Sequence, residues 1–251
     1  MKRGEPSPTK TLKNKMLVGH LAVGLAGKRL EPKISLGTFV LAALLSDLVA
    51  FPLIIAGIEH FDAVPGAMLN RSIGRNIVFS HSLLMTAIWA LLFAAIYFWR
   101  RHFPHGAWLL FLAVLSHWVL DLISHRPDMS LAPGTANVYG LGLWNSFPAT
   151  LIVEGGFWLL ALILFVRFTR AKNLVGVLVF WIGVALLTLV WLGNLRAGMD
   201  PNPVKAGSGG LVMLSLLIAW AYWINRLRPV IHMEDAQRKF RTETPRGSAN
   251  N

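Results

Sequence analysis

The stretch Leu115–Met129, "LSHWVLDLISHRPDM", contains two histidines and an aspartate at intervals of four residues. His117, Asp121 and His125 therefore fall on one side of a helix, each about 40° further round than the last. Imidazole nitrogens and carboxylate oxygens are ligands that proteins offer to zinc and other divalent transition metals. The stretch therefore predicts metal chemistry on a helix.

The three side chains are not equivalent. His117 and Asp121 are separated by about 6 Å of helical rise, whereas including His125 requires about 12 Å and about 80° of rotation. A straight helix cannot offer all three groups to one ion, and Pro127 favours a helix end just beyond His125. We therefore assign His117 and Asp121 to a buried centre. His125 and Arg126 are placed at its rim, where His125 is either a substrate contact or a solvated cap.

The composition around this stretch is that of a membrane protein. The chain has 251 residues, of which 55% are hydrophobic and 14% charged, and its mean hydropathy is +0.54. A soluble domain would carry about 25% charged residues. The absence of cysteine excludes disulfides and thiolate metal sites. No small-residue cleavage site follows the basic segment 1–15, so we expect no signal peptide.

Hydropathy predicts an all-α, polytopic transmembrane helical bundle. A span requires about 20 apolar residues, and six runs of this kind lie near 36–58, 77–99, 107–124, 148–168, 174–195 and 210–227. Residues 16–27 form a shorter apolar segment, which predicts an interfacial or half-inserted N-terminal helix. We expect residues 1–228 to form a single transmembrane domain. The basic tail 229–251 is expected to be disordered.

The distribution of charge predicts the orientation of the bundle. The net charge is +12, but the basic residues cluster between the apolar runs, as membrane topology requires, and do not indicate a nucleic-acid partner. Most of the 24 lysines and arginines lie on the side of the two termini. By the positive-inside rule, both termini are predicted to be cytoplasmic, in an inner (plasma) membrane whose lipids are the expected partners. The longer loops 59–76 and 125–147 would then lie outside.

Ionisable groups inside spans are costly, so each is a candidate functional residue. Those singled out within the predicted spans are Asp47, His81, His117, Asp121 and Glu154, and His125 and Asp128 follow just beyond the third span. Most would lie towards the outer ends of their helices, so four spans could converge on a pocket that opens outward. Of these residues, His81, His117 and Asp121 are predicted to bind a divalent ion, with Asp47 as fourth ligand or as a neighbour of the ligands. Glu154 and Asp128 are the predicted catalytic general bases.

Four segments in this order carry a family resemblance: "MLVGHLAVGLAG", "LSDLVAF", "FSHSLL" and "SHWVLDLISHRPD". Over residues 16–155 the chain resembles the YdjM-like family of bacterial inner-membrane metal-dependent hydrolases. The resemblance implies that the metal ligands are His20, Asp47, His81, His117 and Asp121. Asn76 stands where the family commonly has a histidine, so one ion or none is favoured over two. His20 could join only if residues 16–27 dip into the membrane.

These observations predict a membrane-embedded, metal-dependent hydrolase with its site in the outer half of the bilayer. The divalent ion, with zinc as first candidate, would lower the pKa of a bound water towards neutrality. The location favours an amphiphilic ester or phosphodiester as substrate. One alternative is a transporter or channel that uses buried histidine and aspartate to relay protons or ions. Another is a non-catalytic membrane scaffold with a structural polar cluster.

Overall fold

The computed structural model describes residues 17–60, 77–194 and 202–231. Within these ranges the helices are α1 Leu17–Leu30, α2 Leu36–Ala43, α3 Leu45–Ile55, α4 Val78–His81, α5 Leu83–Arg101, α6 Pro104–Ser124, α7 Phe147–Phe168, α8 Leu174–Asn194 and α9 Pro203–Leu227. A two-residue strand β1, Met129–Ser130, pairs antiparallel with β2, Val138–Tyr139. The predicted all-α bundle is confirmed. The basic segment 1–15 and most of the predicted tail lie outside the described residues.

Five helices, α5 to α9, are long and apolar enough to cross a membrane, and the bent pair α2–α3 could form a sixth span. Large apolar side chains such as Leu91, Ile152 and Leu189 are exposed on their outer faces, as contact with lipid requires. The predicted sixth span begins at Pro203 and not near residue 210. Proline is favoured in the first turn, and the Asn202 side chain accepts from the Lys205 amide.

Two of the predicted spans are interrupted. The first bends by 53° between α2 and α3, at Leu44. The second is divided into α4 and α5 by Ser82, which is extended (φ −76°, ψ 152°) and caps α5. Asp47 lies in the first turn of α3 and His81 is the last residue of α4. Both breaks therefore lie beside predicted metal ligands.

Helix α1 is enclosed by the rest of the bundle and packs against α2, α6 and α7. Gly24 and Gly27 permit the close approach to α2, since a Cβ on either would lie 2.7 Å from Val40 Cγ2 or 2.6 Å from Phe39 Cδ1. A helix lying on a membrane surface would instead leave one face uncovered. The structure thus shows a helix buried within the bundle, and its depth in the membrane stays a prediction.

Helix α1 ends at the same end of the bundle as α7 and α9, and all three helices have basic residues in their last turns. The Arg29 guanidinium lies 3.9 Å from the centre of the Phe168 ring, at the end of α7. The Leu36 amide donates to Asn225 near the end of α9, at 2.9 Å. His20, ten residues before the end of α1, is therefore about 15 Å deeper in the bundle. This depth explains how a residue near the N-terminus reaches the interior.

The segment between α6 and α7 folds back over the opposite end of the bundle. The Leu141 amide donates to the Leu122 carbonyl at 2.8 Å, and the Gly142 amide donates to the His125 carbonyl at 2.6 Å. The Leu84 amide, in the first turn of α5, donates to the Leu131 carbonyl at 2.9 Å. The predicted outer loop is thus an ordered cover that joins the end of α6 to the start of α5.

Candidate metal centre

Five buried side chains from four helices meet inside the bundle. Their exposed fractions range from 1% for the His117 side chain to 10% for that of His81. The five residues are His20 of α1, Asp47 of α3, His81 of α4, and His117 and Asp121 of α6. The structure therefore brings together all five residues that the family resemblance implied as ligands.

Four nitrogen–oxygen separations in this cluster lie between 3.3 and 3.9 Å. His117 Nε2 lies 3.3 Å from Asp121 Oδ2 and 3.9 Å from Asp47 Oδ1. His81 Nε2 lies 3.3 Å from Asp47 Oδ1 and 3.7 Å from Asp121 Oδ2. Ligands at about 2.1 Å from a tetrahedral ion are about 3.4 Å from one another. Among the described residues, two groups have ligand atoms that all lie within 4.8 Å of one another and could hold a metal ion: Asp47, His81 and His117, and His20, His117 and Asp121.

His20 contacts the other side of the same carboxylate. Its Nε2 lies 3.2 Å from Asp121 Oδ1, whereas His81 and His117 approach Oδ2. Its ring stacks on that of His117, with centroids 3.8 Å apart and an interplanar angle of 6°. His20, His117 and Asp121 can also present ligand atoms within 4.8 Å of one another. His20 is thus placed either to orient Asp121 or to bind an ion directly.

The break between α2 and α3 orients His117. Ala43 is the last residue of α2, and its carbonyl oxygen lies 2.8 Å from His117 Nδ1. A carbonyl can only accept, so Nδ1 carries the hydrogen and a neutral ring has its lone pair on Nε2. Within the described residues, this Nε2 is buried and has no hydrogen-bond partner. A buried lone pair that faces two carboxylates is well suited to a cation.

His81 is held by a residue that the sequence did not indicate. The Ser80 hydroxyl donates to Glu59 Oε2 at 2.6 Å, and Ser80 Oγ lies 2.7 Å from His81 Nδ1. Glu59 is fully buried. Sequence reasoning missed it because a carboxylate just after an apolar run ordinarily reaches water. No spacing rule relates it to a serine that is 21 residues away.

His125, predicted for the rim, pairs with Asp128, which is predicted to be a general base. His125 Nδ1 lies 3.1 Å from Asp128 Oδ1, and the His125 ring centroid is 4.6 Å from that of Trp144. His125 is the C-cap of α6, as Pro127 predicted. Arg126 beside it is half-buried. His125 belongs to neither of the two possible metal-binding groups found among the described residues.

Glu154 lies in a separate contact. Its Oε1 accepts from the Trp144 indole at 2.6 Å and its Oε2 accepts from the Trp191 indole at 2.9 Å. The side chain is buried, and it links the segment between α6 and α7, through Trp144, to α7 and α8. Its role as a general base stays a prediction.

The family comparison agrees with the resemblance carried by the motifs. A family model described as YdjM inner membrane protein matches residues 11–197. The match extends beyond the predicted range of 16–155 and includes all of α8. No curated protein and no solved structure matches the chain.

Proposed function

The chain belongs to the YdjM inner membrane protein family, and we propose that it is an integral membrane, metal-dependent hydrolase. One divalent ion is held by Asp47, His81, His117 and Asp121, and His20 orients Asp121 from behind. The observation that carries this proposal is the set of four separations, between 3.3 and 3.9 Å, from His81 Nε2 and His117 Nε2 to the two carboxylates.

The charges of the cluster favour an ion over bound protons. Asp47 and Asp121 are buried carboxylates, and burying such charges without compensation is costly. A divalent cation would neutralise both. Imidazolium–carboxylate hydrogen bonds would instead draw nitrogen and oxygen to about 2.7–2.9 Å, which is shorter than every separation in the cluster.

The ligand set limits which ion can be catalytic. Two imidazoles and two carboxylates suit several divalent transition metals, among them zinc, iron and manganese. A catalytic ion must keep a coordination position open for water or substrate. With four protein ligands, that position exists only if the ion accepts five or six ligands. Such an ion would supply a nucleophilic water and polarise the scissile carbonyl or phosphoryl group.

The side from which substrate approaches follows from the exposure of His81. It is the most exposed of the five cluster side chains, and its sequence neighbours Phe79 and Leu84 are 43% and 50% exposed. An apolar tail could lie against these two residues while a polar ester or phosphodiester group reaches His81. This arrangement supports an amphiphilic substrate drawn from the lipid.

The polar residues near the end of α6 would accept a proton during the reaction and bind the polar part of the substrate. Asp128, hydrogen-bonded to His125, accepts a proton from the attacking water, and Glu154 is the alternative base. Arg126 and His125 contact the substrate at the rim. If both termini are cytoplasmic, as predicted, this end of the bundle lies in the outer half of the membrane.

Turnover of model substrates tests the proposal. Purified protein in detergent is loaded with Zn²⁺, Mn²⁺ or Fe²⁺ and assayed with p-nitrophenyl esters and bis-p-nitrophenyl phosphate, with His117→Ala as the inactive control. We expect metal-dependent hydrolysis that the variant lacks. Metal-dependent ion flux in proteoliposomes without hydrolysis would favour the transporter. Binding without either activity would favour the scaffold.

A further inference from the structure

Glu59 is a buried carboxylate that lies outside both possible metal-binding groups. Its Oε1 accepts from the Phe79 amide at 2.7 Å and from the Ser80 amide at 2.9 Å. Its Oε2 accepts from the Ser80 hydroxyl at 2.6 Å. Helix α4 has only four residues and cannot be stable alone. Glu59 therefore fixes the start of α4 against the chain that leaves α3.

The direction of each hydrogen bond follows from the number of protons. A serine hydroxyl has one hydrogen, and an ionised carboxylate can only accept. When Glu59 is ionised, the hydrogen of Ser80 therefore points to it, and Ser80 Oγ then accepts from His81 Nδ1, which lies 2.7 Å away. His81 consequently carries its hydrogen on Nδ1. The lone pair is on Nε2, the nitrogen that lies 3.3 Å from Asp47 Oδ1.

We propose that Glu59 is a positioning residue that acts through Ser80 to fix the tautomer and orientation of His81. His117 is oriented in a similar way, because its Nδ1 is hydrogen-bonded to the Ala43 carbonyl. Both rings thereby present a lone pair on Nε2 to the same two carboxylates. The consequence for metal affinity rests on the proposed function, whereas the consequence for the tautomer does not.

Loss of the contact should weaken metal binding without removing a ligand. Changing an outer partner of a ligating histidine typically costs about 10- to 100-fold in metal affinity. Ser80→Ala deletes the only hydroxyl in the relay. The two carboxylate oxygens of Glu59 accept three hydrogen bonds, from the Phe79 amide, the Ser80 amide and the Ser80 hydroxyl. In Glu59→Gln one of these oxygens is replaced by an NH2 group, which cannot accept, so at least one of the three hydrogen bonds must be lost. The matched controls are Ser116→Ala, a hydroxyl on α6 bonded to the Ala113 carbonyl, and Glu31→Gln at the basic end.

Two measurements on the full-length protein in detergent test the inference. Nitrogen-15 NMR of histidine-labelled, metal-free protein reports the tautomer, and the His81 signals are identified by their absence from His81→Ala. Titration with Zn²⁺ against a chromophoric chelator reports affinity. We expect an Nδ1-protonated His81 in wild type and in both controls. In Ser80→Ala and Glu59→Gln we expect a mixed tautomer and an affinity about 10- to 100-fold lower.

An unchanged His81 tautomer in Ser80→Ala would overturn the inference, and so would an unchanged Zn²⁺ affinity. If these variants behave like wild type while wild type binds Zn²⁺, the proposed function stands and the inference fails. If wild type binds no Zn²⁺, the metal-dependent function fails. The tautomer comparison then still decides whether Glu59 positions His81.

Discussion

The Nδ1 atom of His117 lies 2.8 Å from the carbonyl oxygen of Ala43, a residue 74 positions earlier in the chain. Carbonyl groups in the last turn of a helix lack partners within that helix. The end of α2 therefore supplies an acceptor at the depth of the candidate metal centre. The break between α2 and α3 thus determines how one of the proposed ligands presents its lone pair.

His117 and His125 should respond differently to truncation. His117→Ala removes a ligand and is expected to lower metal affinity at least 100-fold, since its loss leaves the ion incompletely coordinated. His125→Ala removes the group that pairs with Asp128 and should retain the metal, with an effect on turnover only. Equilibrium dialysis with Zn²⁺ measures the metal affinity of both variants.

His105→Ala is the control for these variants, since its side chain is 63% exposed at the basic end of the bundle. Complete loss of metal in His125→Ala would show that the end of α6 takes part in coordination, and the separation of centre from rim would then be wrong.

Two substitutions of His20 test whether this residue orients Asp121 or binds the ion directly. If it only holds Asp121 Oδ1, at 3.2 Å, His20→Gln should retain a donor for that oxygen and keep most of the affinity. His20→Ala should lose about 10- to 100-fold. The same dialysis compares the two variants. A glutamine variant as weak as His117→Ala would instead make His20 a direct ligand.

The types of residue in the centre could be predicted from sequence, but their arrangement could not. The spacing of His117 and Asp121 predicts two ligands on one helical face, and the cost of charge in a span indicates Asp47 and His81.

The depth of His20 was not predictable, because hydropathy gives the length of an apolar segment such as α1 but not whether other helices surround it. The breaks at Leu44 and Ser82 lie inside apolar runs that read as continuous. Glu59 depends on a contact between distant segments.

The Trp144 indole should hold the outer loop in place. It donates to Glu154 and packs near His125. Trp144→Phe keeps an aromatic ring but leaves one oxygen of a buried carboxylate without this donor, at a cost of about 1–3 kcal/mol. We expect a lower thermal midpoint and faster proteolysis within 131–137. The control is Trp108→Phe, whose side chain is exposed on α6. Equal effects of the two variants would contradict the role of the loop contact.

The orientation in the membrane predicts the behaviour of reporter fusions. A reporter joined after Asn251 should be active in the cytoplasm, because basic residues gather at the end of the bundle where α9 finishes. A reporter inserted at Gly134, an exposed turn with φ +81° in the outer loop, should report the opposite side. Paired alkaline phosphatase and green fluorescent protein fusions provide the measurement. Both reporters on one side would contradict the six-span topology.

The metal content of the purified protein tests the central claim most directly. Full-length protein is purified in detergent, incubated with a mixture of Zn²⁺, Mn²⁺ and Fe²⁺, desalted and analysed by inductively coupled plasma mass spectrometry. Asp47→Asn combined with Asp121→Asn removes both proposed carboxylate ligands, and Asp128→Asn is the matched control. Four ligands shared by one cation predict one ion per chain in wild type and control, and none in the double variant. A wild-type protein without metal, or a double variant that retains it, would contradict the account.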